Sequence, residues 1–341
     1  MLDSRNSPVL RKRLLVNEWV ILAPERAGRP RRLDLVDAER REARKSDDLC
    51  PFCVENGELT PAPSASWPSP SFPDHPWGVR SVPNKFPALE LDAVAPPQTD
   101  HLYEERAALG VHEVILESPC HHQHWNELPP DHLKTIFGAW RDRLRQLSGD
   151  PRHRCALIFK NQGARAGATL EHVHSQLTAL PMIPPALEAK LAGAKDYHEQ
   201  YGRCAICEMV DRERRSGERI IAENDHILAL APYGSRVPYE VWILPRDHGA
   251  DFSIAPEKVL VDLAGMTATI LSLWRSILGS VSHNMVLHSV PFDLAGKPYY
   301  HWHLELLPRL GQVAGFEWAS KIYINAIPSE VAAQRLRSLS I

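Results

Sequence analysis

The chain has 341 residues, of which 44% are hydrophobic and 24% charged, and its formal net charge is -3 at pH 7. These values are typical of a soluble globular protein with one large domain or two intimate ones, and such a small negative charge gives no reason to expect binding to nucleic acid or an anionic membrane. The N-terminus shows no apolar signal-peptide core, and no apolar run approaches the ~18 residues of a membrane span. We therefore expect a cytoplasmic protein.

The hydrophobic pattern predicts a mixed α/β fold of the α+β kind. Predicted strands, in chain order, are 18–23, 112–117, 155–160, 173–180, 227–232, 239–244, 284–289 and 301–307. Apolar residues at helical spacing predict long helices over 130–147 and 256–278, and Ser329 can cap a shorter C-terminal helix. The charged stretch 34–48 is predicted to be an exposed helix or mobile loop. The proline-rich stretch 61–98 is expected to be irregular, with a short ordered piece inside it.

The second half of the chain repeats the order of features found in the first. Each half contains a C-x-x-C pair, a strand that ends near a histidine, a long helix, another strand and an H-x-H motif. The shared positions are Cys50, Cys53, His121 and His172 in the first half, and Cys204, Cys207, His248 and His301 in the second. The two histidines are 51 residues apart in one half and 53 in the other. We predict two tandem modules, 1–195 and 196–341, each an antiparallel sheet with a long helix, fused into one unit.

Each set of two cysteines and two histidines has the composition of a closed, tetrahedral zinc site. Such sites are structural, so we expect two structural Zn²⁺ ions. Two alternatives remain for the C-x-x-C pairs. One is thiol redox chemistry, which requires a C-x-x-C that opens a helix of a βαβ unit. The other is a zinc-ribbon nucleic-acid binder, which the net charge and the absence of a basic stripe disfavour.

The segment from Phe159 to Gln176 indicates the reaction site. A predicted strand leads into a loop rich in glycine and alanine, whose backbone N–H groups can approach a phosphate closely. The H-x-H motif that follows offers two imidazoles in an extended segment, and we expect them to have different roles. His172 can then be anchored by metal while His174 acts as a nucleophile toward phosphorus. Gln176 lies on the same face as His174 and can donate a hydrogen bond to a phosphoryl oxygen.

These motifs together resemble the galactose-1-phosphate uridylyltransferase branch of the histidine-triad superfamily, over nearly the whole chain. The segments that carry the resemblance are 17–30 (NEWVILAPERAGRP), 50–53 (CPFC), 84–89 (NKFPAL), 117–121 (ESPCH), 159–163, 172–176 (HVHSQ) and 315–317 (GFE). The resemblance implies two histidine-triad-like modules, commonly in a homodimer. It also implies ping-pong transfer of a nucleotide between a nucleotide sugar and a sugar 1-phosphate or phosphate, through a covalent nucleotidyl-His174.

The resemblance also implies roles for individual residues. It makes His174 and Gln176 catalytic. It assigns substrate binding to Arg26, Arg29, Asn84, Asn161, Gly167, Ala168, Thr169, Glu317 and Asn325. The second H-x-H is followed by Glu305 where Gln176 stands in the first. Since a carboxylate repels phosphate, we expect the chemistry in the first half.

Several positions differ from the galactose enzymes, including Val173 where proline is usual and Lys85 where an acidic residue is common. The run from Lys160 to Gln176, together with 315–325, looks closer to relatives that act as ADP-glucose phosphorylases. Uridylyl transfer and adenylyl transfer to inorganic phosphate therefore both remain open. A histidine-triad hydrolase that passes the nucleotide to water is a further alternative, which the residues that resemble a sugar pocket disfavour.

Overall fold

The computed structural model describes residues 8–28, 50–94, 102–103, 105–129 and 131–339. Within these ranges the strands are β1 Val9–Lys12, β2 Trp19–Leu22, β3 Ala65–Trp67, β4 Val79–Pro83, β5 Val111–Leu116, β6 Cys155–Gln162, β7 His174–Leu180, β8 Ile220–Glu223, β9 Ile227–Leu230, β10 Val241–Pro245, β11 His283–His288, β12 His303–Pro308 and β13 Tyr323–Asn325. The helices are α1 His132–Ser148, α2 Pro185–Tyr201, α3 Ala205–Ser216, α4 Glu257–Leu278, α5 Gly315–Ser320 and α6 Ser329–Arg337.

All eight predicted strands and both long helices are confirmed, with ends that differ by at most two residues. The predicted helix near Ser329 is also confirmed, but the prediction that Ser329 caps it is wrong. The capping position is Pro328, and the Ser329 hydroxyl donates a 2.6 Å hydrogen bond to the carbonyl oxygen of Pro232. The charged stretch 34–48 lies outside the described residues.

Ten strands of the described chain form one sheet, in the order β3-β4-β5-β7-β6-β11-β12-β10-β9-β8. Every neighbouring pair is antiparallel. The first five strands in this order come from the first half of the chain and the other five from the second. The halves meet where β6 pairs with β11, and Phe159 lies opposite Val286 there. The α+β fold class and the antiparallel sheets with long helices are confirmed.

The helices α1 and α4 cover one face of the sheet and form the main core with it. The α1 side chains Ile136, Phe137 and Trp140 are fully buried, as are Leu263 and Ile270 of α4. All of them belong to one cluster with apolar residues of the central strands. Burial of this face leaves the opposite face of the first half free to carry polar groups.

Helix α4 is long and apolar enough to cross a membrane by length and composition, with a mean hydropathy of 1.2 in an 18-residue window. Half of that window is buried inside the protein. Helix α4 packs in the main core of the protein.

The opposite face of the second half is covered by the N-terminal hairpin and by α2 and α3. Strand β2 pairs with β1 on one side and with β13 on the other, in a separate three-stranded sheet. The hairpin turn at Leu15 meets α2 at Gly193, where an added Cβ would lie 1.9 Å from the Leu15 carbonyl oxygen. Because α2 runs through residue 195, the domain boundary between 195 and 196 stays a prediction.

Candidate active site and metal clusters

The structure brings the four predicted ligands of the first half together. One donor atom each of Cys50, Cys53, His121 and His172 lies within 4.8 Å of all the others. Cys50 Sγ lies 3.6 Å from His172 Nδ1, and Cys53 Sγ lies 3.6 Å from His121 Nδ1. A tetrahedral zinc site with Zn–S near 2.3 Å and Zn–N near 2.0–2.1 Å has sulfur and nitrogen ligands about 3.5–3.6 Å apart. The cluster therefore fits a zinc ion.

The tautomer of His172 also suits a metal. Its Nε2 lies 2.9 Å from the carbonyl oxygen of Ser118 and can only donate to it. Its Nδ1 lone pair therefore faces the two thiols. Burial lowers the pKa of His172 to about 3, so the ring is neutral, as a ligand must be. A carbonyl that orients a metal-binding histidine in this way is typical of metal sites.

The second half holds a matching cluster of Cys204, Cys207, His248 and His301, also within 4.8 Å of one another. Cys207 Sγ lies 3.3 Å from His248 Nδ1 and 3.5 Å from His301 Nδ1. The Nε2 of His301 faces the carbonyl oxygen of Pro245 at 3.0 Å, which repeats the arrangement at His172. Although this C-x-x-C pair does open a helix, as the redox hypothesis requires, the two converging histidines are what a metal site requires.

His174 begins β7 and lies on the face of the sheet that α1 leaves open. Its Nδ1 lies 2.7 Å from the carbonyl oxygen of His172, so Nδ1 carries the proton and Nε2 carries the lone pair. Burial, and then the charge of Lys160, lower the pKa of His174. The ring of Phe52, inside the first C-x-x-C motif, packs edge-on against His174 with centroids 5.3 Å apart. The C-x-x-C segment of the first half therefore contacts His174 directly.

A buried ion pair lies beneath His174. Lys160 and Glu117 are 1% and 0% exposed, and the Lys160 ammonium lies 2.5 Å from Glu117 Oε2. The same ammonium donates to the carbonyl oxygen of His174 at 2.9 Å, and Trp125 Nε1 donates to Glu117 Oε2 at 2.6 Å. Burial lowers the pKa of Lys160, and the neighbouring carboxylate opposes this shift. The Lys160 side chain therefore connects β6 to the first residue of β7.

Gln176 follows His174 on the same face, and its amide is oriented by protein groups. Its Oε1 lies 3.0 Å from Nε2 of His112, a residue of β5. Asn84, which follows β4, has its amide nitrogen 3.2 Å from the same ring nitrogen. Thus three polar residues from three neighbouring strands meet beside His174, as the strand pairings of β5 with β4 and β7 require.

The glycine- and alanine-rich loop is closed on itself. The N–H groups of Ala166 and Ala168 both donate to the carbonyl oxygen of Gly163, at 3.1 and 3.2 Å, and Gly167 donates to Ala164 at 3.0 Å. These N–H groups are thus already used within the loop, and Thr169 beyond them is exposed. In this conformation, a phosphate bound at the loop would be contacted by side chains and by the remaining N–H groups.

Asn161 precedes this loop and presents an amide nitrogen. Its Oδ1 accepts a 2.8 Å hydrogen bond from Asn284 of the second half. The amide of Asn284 is itself held by the carbonyl oxygen of Ala166, at 2.9 Å, and by Arg309 Nε at 2.5 Å. The two hydrogens on Asn161 Nδ2 therefore remain available for a ligand.

Other predicted substrate residues lie in or next to the three-stranded sheet. Arg26 is exposed in a short 3₁₀ helix after β2. Glu317 accepts a hydrogen bond from the Ala314 N–H at the start of α5. Asn325 is fully buried, and its amide is used internally, donating to the Ser235 carbonyl oxygen at 3.0 Å. None of these three residues lies on β7, which carries His174, or on its sheet neighbours β5 and β6. Arg29 lies outside the described residues.

The second half has a carboxylate where the first has Gln176, and cations neutralise it. Glu305 is 2% exposed and contacts Arg236 Nη2 at 2.5 Å and Arg13 Nη2 at 3.5 Å. Burial raises the pKa of Glu305, but the neighbouring cations, chiefly Arg236, outweigh burial and hold this pKa well below its usual range. A charged, internally paired carboxylate leaves no room for a phosphate at this position.

His303, the counterpart of His174, is also sealed from substrate. Its ring is stacked between Trp242 and His288, with centroids 4.7 and 4.6 Å away, and it is fully buried. His288 in turn lies 3.0 Å from Glu305 Oε2. Covered on both ring faces, His303 cannot attack a phosphorus atom, which leaves His174 as the accessible member of the pair.

The sequence analysis missed four residues that shape the site, namely His112, Lys160, Phe52 and Asn284. Each acts through a partner that is distant in sequence, so no local motif marks them. A buried lysine in an otherwise apolar strand was the one available signal, since lysine is rarely buried without a charged partner.

Comparison with known proteins agrees with this architecture. A family model described as galactose-1-phosphate uridyl transferase, N-terminal domain, matches residues 1–184, and a domain of unknown function (DUF4921) matches residues 129–340. ADP-glucose phosphorylase of Arabidopsis thaliana is 33% identical over 98% of this chain and 94% of its own length. Galactose-1-phosphate uridylyltransferase of Thermotoga maritima is 26% identical over 97% of this chain and 98% of its own length.

A solved structure of the Arabidopsis thaliana ADP-glucose phosphorylase with bound ADP-glucose superimposes with a TM-score of 0.83 at 32% identity. The match covers 98% of this chain and 100% of that one. The fold and these relatives define a nucleotidyl-transferring enzyme. The chain belongs to the galactose-1-phosphate uridylyltransferase family.

Proposed function

We propose that this chain transfers a nucleoside monophosphate from a nucleotide sugar to a hexose 1-phosphate or to inorganic phosphate through a covalent nucleotidyl-His174. The observation that carries the proposal is the state of His174. Its Nδ1 proton is held by the His172 carbonyl oxygen at 2.7 Å, which leaves the Nε2 lone pair on the open face of the sheet. A neutral imidazole with one nitrogen anchored is the form that attacks phosphorus.

In the first step, Nε2 of His174 attacks the α-phosphorus of the nucleotide sugar. A P–N bond forms as the P–O bond to the sugar phosphate breaks, and the sugar 1-phosphate leaves with the bonding electron pair. The imidazole becomes a cation, which its Nδ1–H contact with the His172 carbonyl stabilises. Donors from Gln176 and Asn161 stabilise the negative charge on the phosphoryl oxygens, which grows as attack proceeds.

In the second step, an oxygen of the acceptor phosphate attacks the same phosphorus. The P–N bond breaks, the electron pair returns to Nε2, and His174 regains its starting state. Imidazole bonded to phosphorus is a good leaving group because it departs as a neutral ring. The reaction needs no redox partner, because neither step changes an oxidation state.

Two variants of this reaction differ in base and acceptor. Adenylyl transfer from ADP-glucose to inorganic phosphate is favoured by the 33% identity to an ADP-glucose phosphorylase. Uridylyl transfer to a hexose 1-phosphate is the activity that a relative at 26% identity is named for. We therefore propose ADP-glucose as the first donor to test and UDP-glucose and UDP-galactose as the competing donors.

We further propose that each Cys/His cluster holds a structural zinc ion. Cys50, Cys53, His121 and His172 would hold the first, and Cys204, Cys207, His248 and His301 the second. Four protein ligands close a zinc site, so the metal would supply no open position for substrate. In the first half the metal would instead hold two residues that border His174. Phe52 lies inside the C-x-x-C motif, and His172 lies just before β7.

The remaining substrate roles come from the family resemblance. Arg26, Arg29, Glu317 and Asn325 would act on the nucleotide and sugar, and a homodimer in the cytoplasm stays the expected state. The exposed Trp19, at 40%, and the other apolar side chains of the three-stranded sheet support a protein contact there. The buried amide of Asn325 supports a role in holding β13 more than a direct contact with sugar.

The test is the intact-protein mass after incubation with each donor in turn. We expect an AMP-sized adduct from ADP-glucose that inorganic phosphate discharges, and no adduct in His174→Ala. The control is His303→Ala, because a second-half nucleophile would leave the adduct intact in His174→Ala and remove it in His303→Ala. A UMP-sized adduct instead would make the chain a uridylyltransferase. Turnover to free nucleotide without phosphate would indicate a hydrolase, and no adduct with any donor would refute the covalent mechanism.

A further inference from the structure

We infer that His112 is a positioning residue that fixes which end of the Gln176 amide faces the phosphoryl group. The inference rests on the proposed function, because it concerns the transition state of transfer to His174. Gln176 has one acceptor and one donor end, and only its NH₂ end can stabilise a phosphoryl oxygen. A free amide would present the two ends about equally, so something must select between them.

The selection begins at a backbone N–H in the loop after β4. The N–H of Ala88 donates to Nδ1 of His112 at 3.0 Å. A backbone N–H can only donate, so Nδ1 must carry the lone pair. In the neutral ring the single proton is then on Nε2. The tautomer of His112 is thus set by main-chain geometry and does not depend on how the neighbouring amides are assigned.

The protonated Nε2 in turn sets the orientation of Gln176. It lies 3.0 Å from the Gln176 side chain, and an N–H donor requires an acceptor there, so the amide oxygen Oε1 occupies that position. The NH₂ group of Gln176 is then directed away from His112, on the face that carries His174. Val114 of β5 lies directly opposite Gln176, and His112 is the next residue of β5 on the same face, opposite Thr178. The pairing of β5 with β7 therefore keeps the side chains of His112 and Gln176 in contact.

The same loop orients a second amide. Phe86 N–H donates to Oδ1 of Asn84 at 2.9 Å, which leaves the Asn84 NH₂ group as the end near His112. That nitrogen lies 3.2 Å from His112 Nε2. Because both nitrogens carry hydrogen, this contact is not a hydrogen bond, and the Asn84 hydrogens stay available to a ligand. Loop residues 86 and 88 therefore set two amides with their donor ends free beside the nucleophile.

The second half of the sheet has no such device. Val114 lies opposite Gln176, and Trp242 lies opposite Glu305, so Glu240 takes the place of His112, two residues before Trp242. A carboxylate has no donor end to select, and Glu305 is already paired with cations. In the described part of the chain, a histidine at this position thus occurs only in the half that carries His174, and the histidine that contacts Glu305 is His288 of the neighbouring strand β11.

Two substitutions separate the two contacts of His112. His112→Asn places an amide near the position of Nδ1, so it can still accept from Ala88, but it loses the donor to Gln176. His112→Gln extends an amide nitrogen to the position of Nε2, so it restores that donor while losing the contact with Ala88. We expect His112→Asn to slow adduct formation about 10- to 100-fold, mainly in kcat with little change in KM. His112→Gln should recover most of the lost rate.

A double-mutant cycle with Gln176→Ala distinguishes positioning from a general structural role. Once Gln176 is gone, His112 has nothing to orient, so adding His112→Asn should slow the reaction no further. Zinc content and thermal midpoint are measured on each variant. His226→Asn serves as a matched control with unchanged turnover, because His226 lies in the second half, is 24% exposed and pairs with Asp262 at 2.6 Å.

Equal rates for wild type and His112→Asn would overturn the inference, as would effects of His112→Asn and Gln176→Ala that simply multiply. Failure of the proposed function gives a different result, because the wild-type protein itself would then form no nucleotide adduct. A wild-type adduct with a normal rate in His112→Asn would leave the reaction standing and remove His112 from it.

Discussion

Replacing Lys160 alone is expected to destabilise the protein much more than replacing Lys160 and Glu117 together. Both side chains are almost completely buried, and the ammonium lies 2.5 Å from the carboxylate. Lys160→Met removes the cation and leaves a carboxylate without its counter-charge in the core, where only Trp125 still donates to it. The double variant Lys160→Met, Glu117→Gln has no buried charge, and its new amide can still accept from Trp125.

The expected size of the effect follows from these contacts. Removing one partner of a buried ion pair costs about 3–5 kcal/mol of unfolding free energy, because the remaining charge has lost its compensation. The double variant is expected to lose only about 1–2 kcal/mol, mainly from the hydrogen bond to the His174 carbonyl oxygen. Adding Glu117→Gln should thus make the Lys160→Met variant more stable, which is unusual for two core substitutions.

The assay is urea unfolding of the metal-loaded protein, followed by tryptophan fluorescence. The matched control is Lys195→Met, because Lys195 pairs with Glu199 at 3.6 Å on the surface with both side chains more than half exposed. Such a pair contributes at most about 1 kcal/mol. A Lys160→Met variant as stable as Lys195→Met, or less destabilised than the double variant, would refute the assignment of a charged, mutually dependent pair.

Two further predictions concern the metal clusters and pH. Cys53→Ser is expected to release one equivalent of zinc and to lower turnover about 10- to 100-fold, because Phe52 and the H-x-H strand lose their anchor. Cys207→Ser should release the other equivalent with a smaller loss of turnover. Metal analysis and steady-state kinetics of both variants check this, and a larger loss of turnover in Cys207→Ser than in Cys53→Ser would contradict the prediction. Burial lowers the pKa of His283 to about 4, so as the pH falls His283 is protonated in the unfolded chain before it is protonated in the folded protein. The free energy of unfolding should therefore fall as pH drops from about 6.5 toward 4, by up to about 1.4 kcal/mol per pH unit. His283→Gln should flatten this slope in urea titrations, and an unchanged slope would assign it to other groups.

The sequence determined the elements and the ligand sets because these depend on local pattern and on residue chemistry. Period-2 and helical spacing located strands such as β6 and the helix α4. Helices α2 and α3 were not predicted. Helix α2 has few large apolar residues, and α3 begins inside a C-x-x-C motif that was interpreted only as a pair of metal ligands. The repeat of cysteines and histidines identified both clusters without any knowledge of the fold, because Cys₂His₂ is itself a chemical signature.

Only the tertiary structure decided which half is accessible and how its donors are oriented. Cross-strand pairing brought His112 beside Gln176, residues 64 positions apart, and placed Lys160 under Glu117. Likewise, the stacking of Trp242 and His288 on His303 sealed the second H-x-H motif. Local sequence cannot specify such contacts, because each depends on the register of strands that are distant in the chain.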